Sequence, residues 1–164
     1  MLRKTKQSEA YGRDLVPRTG IDADDYVVGR FGDSPAMAAE LADVVLTGTK
    51  RATASLARNY ADCRDMPKVG DYVVVVDGEG MPCCIWRTVE ILVKPLDAVD
   101  EGFAWDEGEG DRTREWWLDA HREYFGRQAA REGFAMHDTI DTVFERFEVL
   151  WPLTAANRAE GAER

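Results

Sequence analysis

A lysine and a threonine three residues apart, Lys50 and Thr53, stand in the run Gly48-Thr-Lys-Arg-Ala-Thr-Ala-Ser55, where a helical pattern gives way to a strand pattern. A primary amine and a hydroxyl presented together suit amide chemistry: one can hold a developing oxyanion or take a proton, the other can attack or orient. In a regular strand positions i and i+3 face opposite sides, so joint presentation needs a bend between them. A surface lysine favoured by the dipole at a helix C-terminus accounts for the same residue. The second chemical stretch is Phe103-Ala-Trp-Asp-Glu-Gly-Glu-Gly-Asp111, in which carboxylates crowd beside Trp105. Such a cluster can hold a general acid or a metal-binding pair, with glycines that leave the backbone free to bend. A solvated acidic loop leading into the next helix is the competing reading.

Other chemistries lack their signatures. The chain has no G-x-x-x-x-G-K-[ST] phosphate loop, no G-x-G-x-x-G after a strand and no C-x-x-C pair. Two histidines sixteen residues apart, His121 and His137, make a weak zinc case. The three cysteines, Cys63, Cys83 and Cys84, are too few for a disulfide scaffold and read as reduced thiols of a cytoplasmic protein.

These residues must be positioned by a chain of 164 residues, 45% apolar and 32% charged, enough for one domain with a real core. No apolar run reaches the roughly 18 residues of a membrane span, and no apolar stretch follows the basic start, so neither a membrane nor a secretory signal is expected. A net charge of −10 disfavours coating duplex DNA, whose binding rests on neutralised phosphates, but leaves room for a nucleoside-sized pocket. Residues 1–23 read as a flexible arm, 24–153 as the domain and 154–164 as a flexible tail.

Inside the domain, Ser34 caps and Pro35 opens a helix whose apolar stripe is Met37, Leu41, Val44 and Val45, and Gly48 ends it. Strands are expected from Arg51, over Tyr72–Val76, from Cys83 to Leu92 and over Phe144–Leu150, with a hairpin turn at Asp77-Gly-Glu-Gly80. Residues 97–123 carry ten acids and three arginines, read as an acidic loop running into a helix with Trp116, Trp117, His121, Tyr124 and Phe125. The tryptophans and Phe125 read as core and His121 as a hydrogen-bonded packing residue. Helices set among antiparallel strands give an α+β fold, closed as a small curled sheet or barrel.

Five stretches together carry a family resemblance: Phe31-Gly-Asp-Ser-Pro35, Gly48-x-Lys50-x-x-Thr53, Gly70-Asp71, Trp116-Trp117-x-x-x-His121 and Val143-Phe-Glu-Arg-Phe147. Over roughly residues 26–151 the chain resembles the ASCH domain family, a branch of the PUA-like superfamily. The resemblance implies a PUA-like curled β-barrel with flanking helices, and a cleft suited to RNA or modified nucleosides. It implies two alternative activities. One is cofactor-free hydrolysis of the N4-acetylcytidine amide on a small nucleoside by a Lys, a Thr and a Glu. The other is binding or cleavage of single-stranded RNA, with Mg²⁺ or Mn²⁺ for a ribonuclease. Lys50 and Thr53 match the first two catalytic positions; Glu107 fits the third best, with Glu109 the competing alignment. Phe31, Ser55 and Glu109 fall at substrate-binding positions. Many members carry Arg where Ser55 stands, so an anion-gripping guanidinium is missing here.

Overall fold

A computed structural model describes residues 2–19, 25–61 and 66–152. The chain runs α1 (Lys6–Thr19), β1 (Tyr26–Gly29), α2 (Pro35–Leu46), β2 (Ala52–Leu56), β3 (Tyr72–Val76), β4 (Pro82–Pro95), α3 (Glu101–Glu107), α4 (Arg114–Glu132) and β5 (Asp141–Trp151). Short 3-10 turns follow β2 and β4 at Ala57–Tyr60 and Leu96–Ala98. The strands form one sheet in the order β1-β3-β4-β5-β2, parallel between β1 and β3 and antiparallel elsewhere. β4 is long enough to pair with β3 at its start and with β5 along most of its length. Its register against β5 shifts between Ile85 and Trp86 and between Thr88 and Glu90, irregularities that sharpen strand twist. The expected α+β fold is present as one curled sheet whose edges, β1 and β2, do not pair with each other.

Local signals act where they were read. Ser34 Oγ accepts from Met37 N, Pro35 opens α2, and Gly48 adopts φ 90° just after it. The deepest face of α2 is Ala38, Ala42 and Val45 rather than Met37, Leu41 and Val44, so small side chains let the helix lie close to what it covers. Asp77 Oδ1 accepts from Glu79 N and Met81 N and closes the β3–β4 turn.

Three features differ from expectation. Residues 6–19 of the stretch expected as a flexible arm form α1. Thr5 and Ser8 cap it reciprocally, and the Tyr11 hydroxyl donates to the Cys83 carbonyl at 3.1 Å. β1 has no counterpart in the sequence reading. The acidic segment is not simply a loop: Asp100 accepts from Phe103 N and starts α3, and Gly108, at φ 70°, ends it. The tail expected over 154–164 lies outside the described residues.

Phe103 of α3, Trp117 and Phe125 of α4, Leu56 of β2 and Phe144 of β5 form one core cluster. Phe31, Val45 of α2, Val73 of β3, Trp86 of β4 and Phe147 of β5 form another. Cys83 and Cys84 are free thiols, and no helix among the described residues is long and apolar enough to cross a membrane.

Candidate active site

The segment after α2 is pinned on both sides. Thr49 N and Lys50 N both donate to the Val44 carbonyl, Arg51 N donates to the Asp106 carbonyl, and Phe147 N donates to that of Arg51. The bend required between Lys50 and Thr53 is therefore made before β2 begins at Ala52. Lys50 is 1% exposed, far from the surface lysine that a helix end alone would give. Its Nζ lies 2.5 Å from Glu109 Oε1 and 3.6 Å from Glu107 Oε1, and donates to the Glu107 carbonyl at 3.5 Å. The Phe31 ring centroid is 5.3 Å from the same nitrogen.

Glu107, at the last turn of α3, is anchored from both oxygens. Oε1 faces Lys50, while Oε2 accepts from the Trp117 indole N–H and stands 3.4 Å from His121 Nε2. His121 stacks on Trp117 with centroids 3.7 Å apart, and its Nδ1 lies 2.9 Å from the Trp117 carbonyl. Burial works to raise the Glu107 pKa, but the Lys50 charge and then His121 outweigh it and hold the carboxyl below its ordinary value. Glu109 is freer, its side chain 19% exposed and engaged, among the described residues, only with Lys50.

These groups border a cleft of about 690 Å³ that Thr53, Ser55 and Phe31 also line, within the usual size range of small-molecule sites. Thr53 is half-buried, and its hydroxyl makes no hydrogen bond among the described residues. The Ser55 hydroxyl pairs with that of Tyr60 at 2.7 Å. The structure thus brings Lys50, Glu107 and Glu109 into direct contact and sets Thr53, Ser55 and Phe31 on the same cleft. Trp105 does not join them: it is 57% exposed, outside the cleft lining, with the Arg112 guanidinium 3.7 Å above its ring.

Several lining residues carry no functional assignment from the sequence. His121 packs as expected and also touches Glu107; its place four residues after Trp117 on one helix face was the available signal. Glu145 on β5, 8% exposed, is the register partner of Thr53 and accepts from the Thr88 hydroxyl at 2.5 Å. Burial pushes its carboxyl above the ordinary value, and nearby Asp71 adds to the rise. Trp86 on β4 lines the same wall.

Fold and site together define an α+β domain whose curled sheet and helices enclose a cleft around a buried lysine. The ASCH domain profile matches residues 28–151, most of the chain, and the protein belongs to the ASCH domain family. No curated protein matches the chain. Among solved structures it is similar to an ASCH domain from Lactobacillus crispatus JV V101, at 30% identity and TM-score 0.79, covering 88% of this chain and 94% of that one. A protein from Enterococcus faecalis V583 is similar at 29% identity and TM-score 0.80, covering 88% of each chain.

Proposed function

We propose that the protein hydrolyses the acyl amide of a small acylated pyrimidine nucleoside, of the N4-acetylcytidine type. The observation that carries this reading is Lys50, buried between two carboxylates on a nucleoside-sized cleft that a free threonine hydroxyl also lines. An ammonium is the working form there, because a neutral amine would leave Glu107 a buried carboxylate without its counter-charge. Lys50 therefore serves as oxyanion stabiliser rather than as the base that would strip Thr53. An ammonium has three N–H donors; Glu109 holds one closely, and the longer approaches to the Glu107 carboxyl and carbonyl, at 3.6 and 3.5 Å, are the ones a substrate oxygen can displace.

The two acids divide the remaining work. The resemblance puts Glu107 first, but both its oxygens are engaged within the protein, which suits it to holding Lys50 and His121 in place. Glu109 is the more exposed of the two acids that line the cleft. Water attacks the amide carbonyl as Glu109 takes its proton, and the Lys50 ammonium stabilises the oxyanion. The C–N bond then breaks, Glu109 returns the proton to the leaving amine nitrogen, and a carboxylic acid and the aminopyrimidine result. Thr53 orients the acyl amide.

The RNA-directed alternative has less support. Six side-chain carboxyls line the cleft against three Lys or Arg, a field that repels phosphate, and Ser55 supplies no guanidinium. Among the described residues no group of three His, Cys, Asp or Glu side chains is arranged to hold a divalent ion. The test is incubation of the purified protein with N4-acetylcytidine and with a short single-stranded RNA, each with Mg²⁺ or Mn²⁺ and with chelator. Chromatography is expected to show cytidine release that survives chelation and is lost in folded Glu109→Gln. Intact N4-acetylcytidine, or metal-dependent cleavage of the RNA in its place, overturns the reading.

A further inference from the structure

The helical wall of the cleft carries a ring that the hydrolytic step does not use. Trp116 departs from its expected place in the core: unlike the buried Trp117 beside it, it is 37% exposed and lines the cleft. Among the described residues its indole N–H makes no hydrogen bond and its ring meets no other ring. The residue is nevertheless fixed. Its backbone N donates to Thr113 Oγ1 at 3.2 Å in the capped first turn of α4. A methyl group built on Gly110 would stand 2.1 and 2.2 Å from Cε2 and Cδ2 of Trp116, the two atoms of the bond that fuses the indole rings. That bond is interior to the bicycle and is approached only over a face, so Gly110 covers one face and leaves the other. Any larger residue at Gly110, which stands at φ 55°, would push the ring aside. A held aromatic face without a protein partner suits a planar ligand, because little side-chain freedom remains to be lost on binding.

The placement of this face points to what lies on it. Gly110 belongs to the turn Glu109–Arg112, closed by Arg112 N donating to the Glu109 carbonyl at 3.0 Å. The acid of the proposed hydrolysis and the support of the ring are therefore consecutive residues. Along α4, Ala120 and Tyr124 follow Trp116 at i+4 and i+8 and line the same cleft. The two aromatics are rooted about 12 Å apart along the helix, and only the Ala120 methyl fills the wall between them. We propose that Trp116 is the stacking shelf for the substrate's heterocycle, with the recess over Ala120 giving the ring its room and Glu109 meeting the exocyclic amide. This rests on the hydrolase reading for the identity of the ligand. It makes the preferred substrate an amide whose leaving amine sits on a flat aromatic ring, since stacking selects a π-face and not a hydrogen-bonding edge.

The experiment compares the wild type with Trp116→Ala, Trp116→Phe and Ala120→Leu, each checked for folding by urea unfolding. Cytidine affinity is measured by calorimetry, and initial rates are followed on N4-acetylcytidine and on N4-acetylcytosine, which has no sugar. Trp116→Ala is expected to weaken cytidine about tenfold or more, the scale of one base–aromatic stack, and Trp116→Phe to recover it to within about threefold. Ala120→Leu fills the recess without touching the Gly110 turn and should weaken cytidine as much. KM should rise in Trp116→Ala and Ala120→Leu while kcat stays within about twofold, and equally for the sugar-free substrate. Affinity and KM within twofold of wild type in these two folded variants overturn the shelf, even where turnover upholds the hydrolase. A loss that Trp116→Phe does not recover, or one absent with N4-acetylcytosine, also overturns it, because the ring then serves the loop or the sugar. Cytidine binding that depends on Trp116 without any turnover upholds the shelf and sinks the hydrolase. A wild type that neither binds cytidine nor turns over either substrate sinks both.

Discussion

Two glutamates are buried in the walls of one cleft, and their surroundings drive them in opposite directions. Glu107, at the helical wall, is held below the ordinary carboxylate pKa even though burial opposes ionisation. Glu145, at the sheet wall, is pushed above it. Depth does not separate them, since they are 1% and 8% exposed. The difference is a cation: Lys50, brought in from the end of α2, faces Glu107, whereas Glu145 has a hydroxyl, an indole and the like charge of Asp71. One wall favours the charged carboxylate and the other disfavours it.

The contrast can be broken from either wall, in descending order of the stability change expected. Lys50→Ala should cost about 3–5 kcal/mol by leaving Glu107 buried and unpaired. It should also lower turnover by about a hundredfold or more. Urea unfolding checks the loss of stability, and Lys50→Met combined with Glu107→Gln should recover most of the stability and none of the activity.

Glu107→Gln should lower stability at pH 7 by about 1–3 kcal/mol. Its depressed native pKa makes the Glu107 contribution present above the ordinary value near 4.3 and lost as pH falls through the native one. The gap in Tm to wild type should accordingly persist down to about pH 4 and narrow below it. Glu145→Gln should give the opposite sign. A raised native pKa means a contribution that is full at low pH and lost as pH rises through that value, because the charged form is penalised. The variant is expected to melt higher than wild type at pH 8, by up to about 1 kcal/mol in stability, and level with it at pH 4. Two pH–Tm profiles of the same sign would remove the contrast.

The smallest change in stability is expected from Thr53→Val. It keeps the β-branched shape of an edge-strand residue and removes a hydroxyl that makes no hydrogen bond among the described residues, so stability should stay within about 0.5 kcal/mol. Turnover should nevertheless fall about tenfold or more in an initial-rate assay, because the proposed hydrolysis has that hydroxyl orient the acyl amide.

What was legible in the sequence is what short-range chemistry decides. Ser34, Pro35 and Gly48 mark α2 because caps and positive φ are local requirements, and Tyr72–Val76 reads as a strand because it is β-branched and buried. The pattern of motifs made the family legible as well. β1 escaped because Tyr26-Val-Val-Gly29 is four residues long and acquires its identity only from parallel pairing with β3. α3 escaped because its acids resemble a solvated loop, although Asp100 three residues before Phe103 is a capping signal. The meeting of Lys50 with Glu107 and Glu109 spans more than fifty positions, so spacing says nothing about which acid is anchored and which is free. The pairing of Thr53 with Glu145 follows from sheet register, which is a tertiary fact.

Gly108 stands between the two acids that share Lys50. A methyl group built on it would fall 2.5 Å from the Thr49 carbonyl oxygen, next to that same lysine. The acidic loop and the end of α2 thus close on each other like the halves of a mould, with backbone seated on backbone at the parting line. Any side chain at this joint would act as a shim that lifts both carboxylates off the ammonium together. The charge pattern of the cleft is therefore set as firmly by an empty place as by the residues that carry the charge.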